Sequence, residues 1–368
     1  MKILNALIKK EYYQILRDPS SIVISIILPL MLIFIFAYGV NLDTNTSKVG
    51  LINEDLDAKE FISSMLGTKY LKVYYYQNRE SAVNDLIIKK LNAIVIIPND
   101  FSKKFKNYYD TANVQVITDG TETNSAVFVN SYILGSIATW QSIYSMKQGQ
   151  IYKPLIDVKS TVWFNKDLRG LNTLLSTSIS TIMNLIGVLL TALVVAREWE
   201  RGTMESLIST RVTKMDIILG KYIPYYILTM FSTLICFIVC VFGFDVPFRG
   251  SFFVFLISGS LFVLSCIGQG LLISVITKNQ FLSCIVAASI GLLPAMLLSG
   301  ATFPIYSMPL FFRLLTYLVP ARYFTPIIKN LFLAETMWNI IIPESIYLTI
   351  SAVIFFILVY HSFNKKLE

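Results

Sequence analysis

Six apolar stretches, each long enough to cross a lipid bilayer, constrain this chain more than any other feature. They are Ile22–Val40, Thr173–Val195, Tyr222–Phe242, Phe252–Ile276, Phe281–Ser299 and Ile342–Tyr360. The hydrocarbon core of a bilayer is about 30 Å thick, and a helix needs roughly 20 apolar residues to cross it. Charged residues make up only 15% of the chain, well below the share typical of soluble domains. We therefore expect an α-helical polytopic membrane protein with six transmembrane helices.

The Lys and Arg residues of the short loops indicate how the spans are oriented, because cytoplasmic loops are enriched in both. One arrangement places most of them on the cytoplasmic side, namely Lys2, Lys9, Lys10, Arg17, Arg197, Arg201, Arg211, Lys214, Lys221, Lys278, Lys365 and Lys366. The short loops on the other side keep Arg249, Arg313, Arg322 and Lys329. The pattern predicts that both termini are cytoplasmic. It also accounts for much of the net charge of +8, so nucleic acid is not an expected partner.

The N-terminal residues 1–21 predict a helix that lies on the cytoplasmic surface of the membrane. Its apolar side chains fall mostly on one side, at Leu4, Leu7, Ile8 and Ile15. Such an amphipathic pattern favours contact with membrane lipids. The first span, residues 22–40, exceeds the apolar core of a secretory signal peptide and lacks a clear cleavage site. We interpret it as a retained anchor.

Residues 41–172, between the first two spans, alternate strand-like and helix-like patterns. The β-rich runs are Lys48–Asn53, Leu71–Tyr76, Ala93–Pro98 and Asn113–Thr118. The helix-like runs are Ala58–Leu66, Glu80–Leu91 and Thr121–Gln148, with turns at Pro98-Asn99-Asp100 and Asp119-Gly120 and a returning segment at Lys153–Phe164. This alternation predicts an inserted extracytoplasmic α/β domain. The remaining spans form a second region, residues 173–368.

The residues of the chain do not indicate an enzyme. Its one histidine, His361, excludes a His-based triad in the segment between the spans. Gly220-Lys221 is followed by Tyr222 instead of Ser or Thr, so a phosphate-binding loop is missing. All four cysteines lie within spans, at Cys236, Cys240, Cys266 and Cys284. We interpret them as packing residues, because a metal site would need further ligands, and we expect no cofactor or metal on this chain.

Residues 197–213, between the second and third spans, combine both signs of charge with apolar side chains. The charged residues are Arg197, Glu198, Arg201 and Glu205, and the apolar ones are Trp199, Met204, Leu207 and Ile208. The segment is too short to fold alone, and we expect it to form one short helix that lies in water. Charges that set register and apolar anchors that give affinity are typical of a partner-binding helix. The alternative is a solvated helix stabilised by its own i,i+4 charge pairs.

A polar stripe runs along the second span. It comprises Thr173, Ser176, Thr177, Ser180, Thr181 and Asn184. Polar side chains within a membrane face protein or a cavity more often than lipid. Two interpretations stay open, namely packing between helices and a translocation pathway or dimer interface formed by Thr177, Ser180, Thr181 and Asn184.

Residues 300–340 are too apolar for an ordinary loop and are interrupted by glycine and proline. The interruptions are Gly300, Pro304, Pro309, Pro320 and Pro326. They predict short re-entrant helices on the outer side, buried against protein so that their backbone groups remain hydrogen-bonded.

The chain resembles the membrane subunit of type-2 ABC exporters, in the branch with a large domain between the first two spans. The resemblance covers nearly the whole chain and is carried by four segments in order: Gly50–Asp55; Ile94–Phe101 with Thr118–Thr121; Arg197–Leu207 with Gly220-Lys221; and Leu298–Pro309. One departure is Thr210-Arg211, where many relatives have Thr-Pro. With Arg211 in place of proline, the end of the helix predicted in residues 197–213 is less sharply defined.

The resemblance implies a permease subunit whose coupling helix docks on a separate ATP-binding cassette subunit. The implied coupling residues are Arg197, Glu198, Trp199, Arg201, Gly202, Thr203, Glu205 and Leu207. ATP and Mg²⁺ would lie on that partner, and a second permease copy or homologue would complete the pore. The resemblance further implies a lid over the exit, formed by Gly300, Phe303, Pro304, Met308 and Pro309.

The implied cargo is a lipophilic or amphipathic compound, drug-like or lipid-like, and the implied location is a bacterial inner membrane, with a periplasmic adaptor protein as an optional partner. Nothing in the residues identifies the compound. A second hypothesis is a non-transporting scaffold or sensor whose outer domain binds an envelope partner. An ion-coupled transporter is disfavoured, because the spans carry no acidic residue away from their ends.

Overall fold

Two compact units make up the computed structural model of the chain. One combines Met1–Leu42 with Thr161–Glu368, and the other is Asp43–Ser160. The structure describes residues 2–39, 46–55, 57–66, 70–88, 90–106, 111–118, 123–147 and 170–363. Several predicted features lie outside the described residues: the turn at Asp119-Gly120, the segment Lys153–Phe164, and Lys365 and Lys366.

The helices of the described residues are numbered in chain order. They are α1 (Lys2–Arg17), α2 (Pro19–Gly39), α3 (Lys59–Leu66), α4 (Arg79–Ile87), α5 (Phe101–Lys106), α6 (Thr123–Lys147), α7 (Gly170–Glu200), α8 (Thr203–Ile208), α9 (Lys214–Gly243), α10 (Phe252–Thr277), α11 (Gln280–Leu297), α12 (Leu310–Leu315), α13 (Ala321–Leu333) and α14 (Trp338–Ser362). Within the described part of the chain, six are long and apolar enough to span a membrane: α2, α7, α9, α10, α11 and α14. The prediction of a helical polytopic protein is confirmed.

Helix α7 lies at the centre of the first unit. It packs against α2, α9, α10, α11 and α13, and 94% of its apolar stretch is buried inside the chain, against 11% for α14. Serine, threonine and glycine in α7 let neighbouring helices approach closely, which is the usual way that helices associate in lipid. The second span is therefore the core of the membrane unit, and α14 is peripheral within it.

Glycines mark the closest approaches to α7. A Cβ atom placed on Gly270 of α10 would lie 2.4 Å from the carbonyl oxygen of Val188, and one placed on Gly187 would lie 2.9 Å from Cβ of Cys266. Contacts of this length are too short for any side chain. Glycine is therefore required where α7 and α10 cross.

The second unit contains one four-stranded sheet. Its strands are β1 (Ser47–Asn53), β2 (Leu71–Tyr76), β3 (Ala93–Ile97) and β4 (Gln115–Thr118), in the order β2-β1-β3-β4. Strand β1 is parallel to β2 and β3, and β4 is antiparallel to β3. All four predicted strands are present, because short β-branched runs bounded by turn residues are a strong local signal.

Both faces of this sheet are covered, as the alternation of its side chains requires. Val49, Leu51 and Val95 point to the side of α3, α5 and α6, and Ile94 and Ile96 point to the side of α4. The first side contains an aromatic cluster formed by Phe61, Phe101, Phe105, Trp140 and Tyr144. Helix α5 was not predicted from the sequence, because a helix of six residues is too short to show a period.

We expect Gly270→Ala to lower the thermal unfolding midpoint of the detergent-solubilised protein. The new methyl group would force α7 and α10 apart, and overpacking of this kind costs about 1–3 kcal/mol. Gly259→Ala on the same helix is a matched control, because no atom of the described residues lies within 4 Å of its added Cβ. Equal midpoints for the two variants would contradict the close approach.

Candidate functional site

The charged segment 197–213 does not form the single short helix that the sequence predicts. Helix α7 continues through Arg197 and ends at Glu200. Gly202 then takes a left-handed conformation (φ 67°), and the separate helix α8 begins at Thr203. Left-handed backbone is readily adopted only by glycine, so Gly202 fixes the break between the two helices.

Arg197 joins the end of α7 to the beginning of the first span. Its guanidinium forms an ion pair with Asp18 and donates a hydrogen bond to Ser20 (3.3 Å). Asp18 is the N-cap of α2, where it also accepts bonds from the hydroxyls of Ser20 and Ser21. Burial alone would raise the pKa of Asp18, but these bonds outweigh it and lower the pKa from 3.8 to about 2. Asp18 is thus ionised at neutral pH.

Glu198 lies in a group of four charges, three of them buried and Lys10 41% exposed. We call this group the charge cluster: Lys10, Glu11, Glu198 and Lys221. The ammonium of Lys221 lies 2.7 Å from Oε2 of Glu198 and 2.9 Å from Oε1 of Glu11. Lys10 pairs with the other oxygen of Glu198. The side chains of Glu11, Glu198 and Lys221 are each 3% exposed. The cluster is neutral overall and ties α1 and α9 to the end of α7.

Glycine also brings α1 to the cluster. A Cβ atom on Gly220 would lie 3.0 Å from Cβ of Leu7, so α1 rests closely on α9 at this point. Glu11 lies one helical turn beyond Leu7 and meets Lys221, the residue that follows Gly220. Helical spacing therefore places the α1 carboxylate opposite the α9 ammonium.

The last two residues of α7 contact the next polar loop. The ammonium of Lys278 lies 4.9 Å from the ring centroid of Trp199, within cation–π range. Oε1 of Glu200 accepts a hydrogen bond from the backbone N–H of Gln280 (2.7 Å), at the start of α11. Four consecutive residues, Arg197 to Glu200, thus contact α1, α2, α9, the turn after α10, and α11.

The expectation that this charged run faces water is wrong for Arg197 and Glu198, which are 7% and 2% exposed. Each sits within reach of opposite charges on other elements, so the chain itself covers them. The exposed residues lie further on, at Arg201, Gly202, Thr203, Glu205, Ser206 and Ser209 to Arg211. We call this set the α8 surface. The coupling role itself stays a prediction.

Helix α8 packs against the rest of its own chain. Met204 is fully buried, and Leu207 is partly buried against the same core. The hydroxyl of Thr203 donates to the carbonyl of Glu198 (3.3 Å), and Thr213 forms a capping box with Asp216 at the start of α9. Met204 is therefore not free to anchor a partner. The side chain of Ile208 lies outside the described residues.

The polar stripe of α7 is bonded within the chain. Asn184 donates to the carbonyl of Gly291 (2.8 Å) and accepts from the thiol of Cys266 (3.2 Å). The hydroxyl of Ser180 lies 3.0 Å from that of Thr325. Thr177 and Thr181 are buried as well. These contacts favour the packing interpretation, and a translocation role for the stripe stays a prediction.

The segment after α11 divides into an exposed half and a buried half. Helix α13 is largely buried. By contrast, Phe303 is 55% exposed and Pro304 and Pro309 are exposed, while Met308 is partly buried; no residue of α12 is buried. Gly300 provides the turn with φ 81°. The expected burial against protein is correct for α13 and wrong for residues 302–304, 306–307, 309–314 and 317–318.

The sequence analysis did not predict that Lys10, Glu11 and Asp18 take part in these ion pairs. It also did not predict the pairing of Lys221. One signal was available, because a lysine inside an apolar span is costly unless an acid pairs with it. Lys221 lies near the beginning of α9, within such an apolar span. A search for its acid partners would have pointed to Glu198 and Glu11.

Six apolar helices and buried, paired charges at the helix ends define a polytopic helical membrane protein. The chain belongs to the ABC-2 family of transporter proteins, whose model matches residues 19–361. It is therefore an ABC transporter permease.

Three relatives illustrate the match. The probable multidrug ABC transporter permease YbhS of Escherichia coli (strain K12) is 42% identical, over 99% of this chain and 97% of its own length. The probable multidrug ABC transporter permease YbhR of the same strain is 28% identical, over 92% of both chains. The inner membrane transport permease YhhJ, also of this strain, is 22% identical over 66% of this chain and 64% of its own length. No solved structure matches the chain.

We expect Lys221→Met to destabilise the protein strongly. It removes the nearer cation of Glu11, which then keeps only Lys10 at 3.8 Å, and one of the two cations beside Glu198. Breaking a buried pair in this way costs about 3–5 kcal/mol. Adding Glu11→Met should recover part of the loss, because Lys10 still neutralises Glu198. Thermal unfolding of the single and double variants measures both effects.

Lys214→Met is the matched control, because Lys214 lies on the same helix and its ammonium lies 5.9 Å from the ring centroid of Tyr360, a weak contact. A midpoint for Lys221→Met as high as that of Lys214→Met would contradict the paired cluster.

The ion pair of Asp18 predicts a pH dependence at acid pH. A carboxyl whose pKa is lowered by folding stabilises the folded state above its unfolded pKa, near 3.8, and this contribution disappears as the pH falls toward about 2. Asp18→Asn lacks this titration. The difference in midpoint between wild type and Asp18→Asn should therefore shrink from pH 4.5 to pH 2.5 (about the interval set by the two pKa values). A constant difference would contradict the assignment.

Proposed function

We propose that this permease is the membrane subunit of an ATP-driven exporter and that its α8 surface docks on a separate ATP-binding cassette subunit. The observation that carries the proposal is the contrast between the two parts of one charged segment. Arg197 and Glu198 are enclosed by their own chain, whereas Arg201 and Glu205 are exposed. Exposed charges of both signs, with Arg201 just before α8 and Glu205 within this firmly held short helix, suit a docking surface.

The contacts of α7 supply a route for movement from the α8 surface to the spans. Thr203 and the Gly202 turn join α8 to the end of α7. From there, Arg197 contacts Asp18 before α2, and Glu198 contacts Lys221 on α9. A load on α8 would reach these helices through short, buried ion pairs instead of flexible side chains.

ATP and Mg²⁺ belong to the partner in this proposal. The sequence has no phosphate-binding loop at Gly220-Lys221, where Tyr222 follows, and Lys221 is occupied by two carboxylates. The described residues also contain no group of three His, Cys, Asp or Glu side chains that could hold a metal. We therefore assign no cofactor to this chain.

We place the route of the exported compound between two permease copies. In one copy the polar stripe of α7 is buried and bonded to neighbouring helices, so a route along α7 through a single copy would have to break that packing. Two relatives carry the word multidrug in their names, which supports a lipophilic or amphipathic compound as cargo. In an alternative form of this proposal, a homologous permease takes the place of the second copy.

The proposed orientation puts both termini in the cytoplasm of a bacterial cell and the unit Asp43–Ser160 outside its inner membrane, as an inserted α/β domain. The basic residues of the short loops support it. Residues Gly300, Phe303, Pro304, Met308 and Pro309 would then lie on the outer side, where we assign them to the exit gate. An adaptor protein is an optional partner of the outer unit.

We expect the double substitution Arg201→Ala/Glu205→Ala to release the ATP-binding subunit. Loss of two exposed interface charges should weaken its binding at least about tenfold, which corresponds to roughly 1.4 kcal/mol. The thermal midpoint of the permease should not change, because neither side chain is buried. Co-purification from native membranes and the ATPase activity of the purified complex measure the effect.

Arg313→Ala is the control, because Arg313 is also exposed but lies in α12, away from α8 in sequence. If the double variant retains the ATPase and its activity at the wild-type level, the α8 surface is not the docking site. If no ATPase co-purifies with wild type, the exporter proposal itself fails.

A further inference from the structure

Helix α6 has an outward face that the other described residues of its unit leave largely exposed. Its opposite face packs on the sheet through Val129, Ile133 and Trp140. The outward face consists of Phe128, Ser131, Gly135, Ala138 and Ser142, at heptad spacing, and of Met146, four residues further on. Phe128 and Met146, at its two ends, are 44% and 66% exposed. Between them the face is built of small residues.

This helix carries no charge over most of its length. From Thr123 to Met146 the sequence contains no Asp, Glu, Lys or Arg. The other helices of the same unit all carry charges: α3 has Lys59 and Glu60, α4 has Arg79, Glu80 and Asp85, and α5 has Lys103, Lys104 and Lys106. A surface helix without charge is unusual, because water-facing helices normally present charged residues. The face is therefore suited to being covered.

Three hydroxyl groups on and beside this face are already bonded within the helix. Ser131 donates to the carbonyl of Val127 (2.8 Å), Thr139 to that of Gly135 (2.8 Å) and Ser145 to that of Gln141 (2.9 Å). Covering a polar group is costly only when it loses its hydrogen bonds. These donors would keep theirs under a partner, so the face could be buried without stranding them.

We propose that the outward face of α6 pairs with the same face of a second copy of this chain. In a two-fold contact each residue meets the same patch on its partner, so a charge near the axis would meet a like charge. A face without charges satisfies this condition, whereas it offers nothing to a partner recognised by opposite charge. Small residues at heptad spacing let two helices approach closely, and among the described residues no atom lies within 4 Å of a Cβ built on Gly135.

The size of the face sets how the contact works. A helix of 25 residues is about 37 Å long, and a strip roughly 10 Å wide along it covers about 370 Å² per copy, or about 740 Å² in total. Stable interfaces bury about 1,200–2,000 Å², so α6 pairing adds to the contacts of a paired permease and does not replace them. The inference thus rests on the proposed function, in which two copies assemble.

The test is disulfide formation by the full-length chain in native membranes. Gly135→Cys lies at the middle of the face, so both a parallel pair and an antiparallel pair crossing at the midpoint bring the two thiols within bonding distance. Mild oxidation should convert most of this variant to a product of twice the mass. Asn84→Cys, on the exposed side of α4, is the matched control and should stay single. All four native cysteines lie within spans, and a variant in which they are replaced by alanine removes their background.

A second variant tests close packing separately from folding. Gly135→Phe meets open space in its own chain, so its thermal midpoint should equal that of wild type. It should reduce the oxidation product of a Ser131→Cys chain at least tenfold. An undiminished product would overturn close pairing along this face.

The size of the purified wild type separates the possible failures. If it is a dimer but Gly135→Cys forms no disulfide, the α6 pairing is overturned and the two-copy permease stands. If it is a single copy by both measures, the pairing in the proposed function fails first. A disulfide product of any other mass would identify a different protein as the occupant and would overturn the second copy.

Discussion

The arrangement of the membrane unit depends on one buried ammonium group. Lys221 lies in an apolar helix and is almost inaccessible to water, where an unpaired charge would be very costly. Its charge is shared by Glu198 at the end of α7 and Glu11 on α1. Because both carboxylates must reach the same nitrogen, the positions of three helices are fixed relative to one another. A change in the position of one helix end must then be accompanied by changes in the others.

Stability alone does not explain such a cluster. Buried ion pairs recover their desolvation cost only when every polar atom is satisfied, and Oε2 of Glu11 has no hydrogen-bond partner among the described residues. An apolar cluster of the same volume would be at least as stable. What the charges add is specificity: Lys221 has one arrangement in which both acids are neutralised. The break at Gly202 then separates this fixed part from the exposed α8 surface, so one short sequence serves both inward positioning and outward contact.

Whether a feature can be predicted from the sequence depends on how far apart in the chain its interacting residues lie. The six spans and four strands depend on length, composition and local period, and the sequence indicates all of them. The short helix α5 and the exposure of Phe303 do not leave such a local signal. Asp18 and Lys10, which pair with Arg197 and Glu198, lie 179 and 188 residues earlier in the chain than these partners, and no local pattern identifies them. The one local signal is a lysine within a span, which indicates that an acidic residue pairs with it.

The presence of charge is informative in the membrane unit, and its absence is informative in the sheet-containing unit. In the membrane unit, charged residues within apolar surroundings are informative because each needs a counter-charge, and Lys221 and Arg197 both have one. In the sheet-containing unit, the absence of charge is informative, because α6 lies beside helices that all carry charged residues. An exposed helix gains solubility from charge at little cost, so nothing in the physics of an isolated unit favours leaving Thr123–Met146 of α6 without a charged residue. A self-complementary contact does favour it, since each charge retained near a two-fold axis would face its own copy.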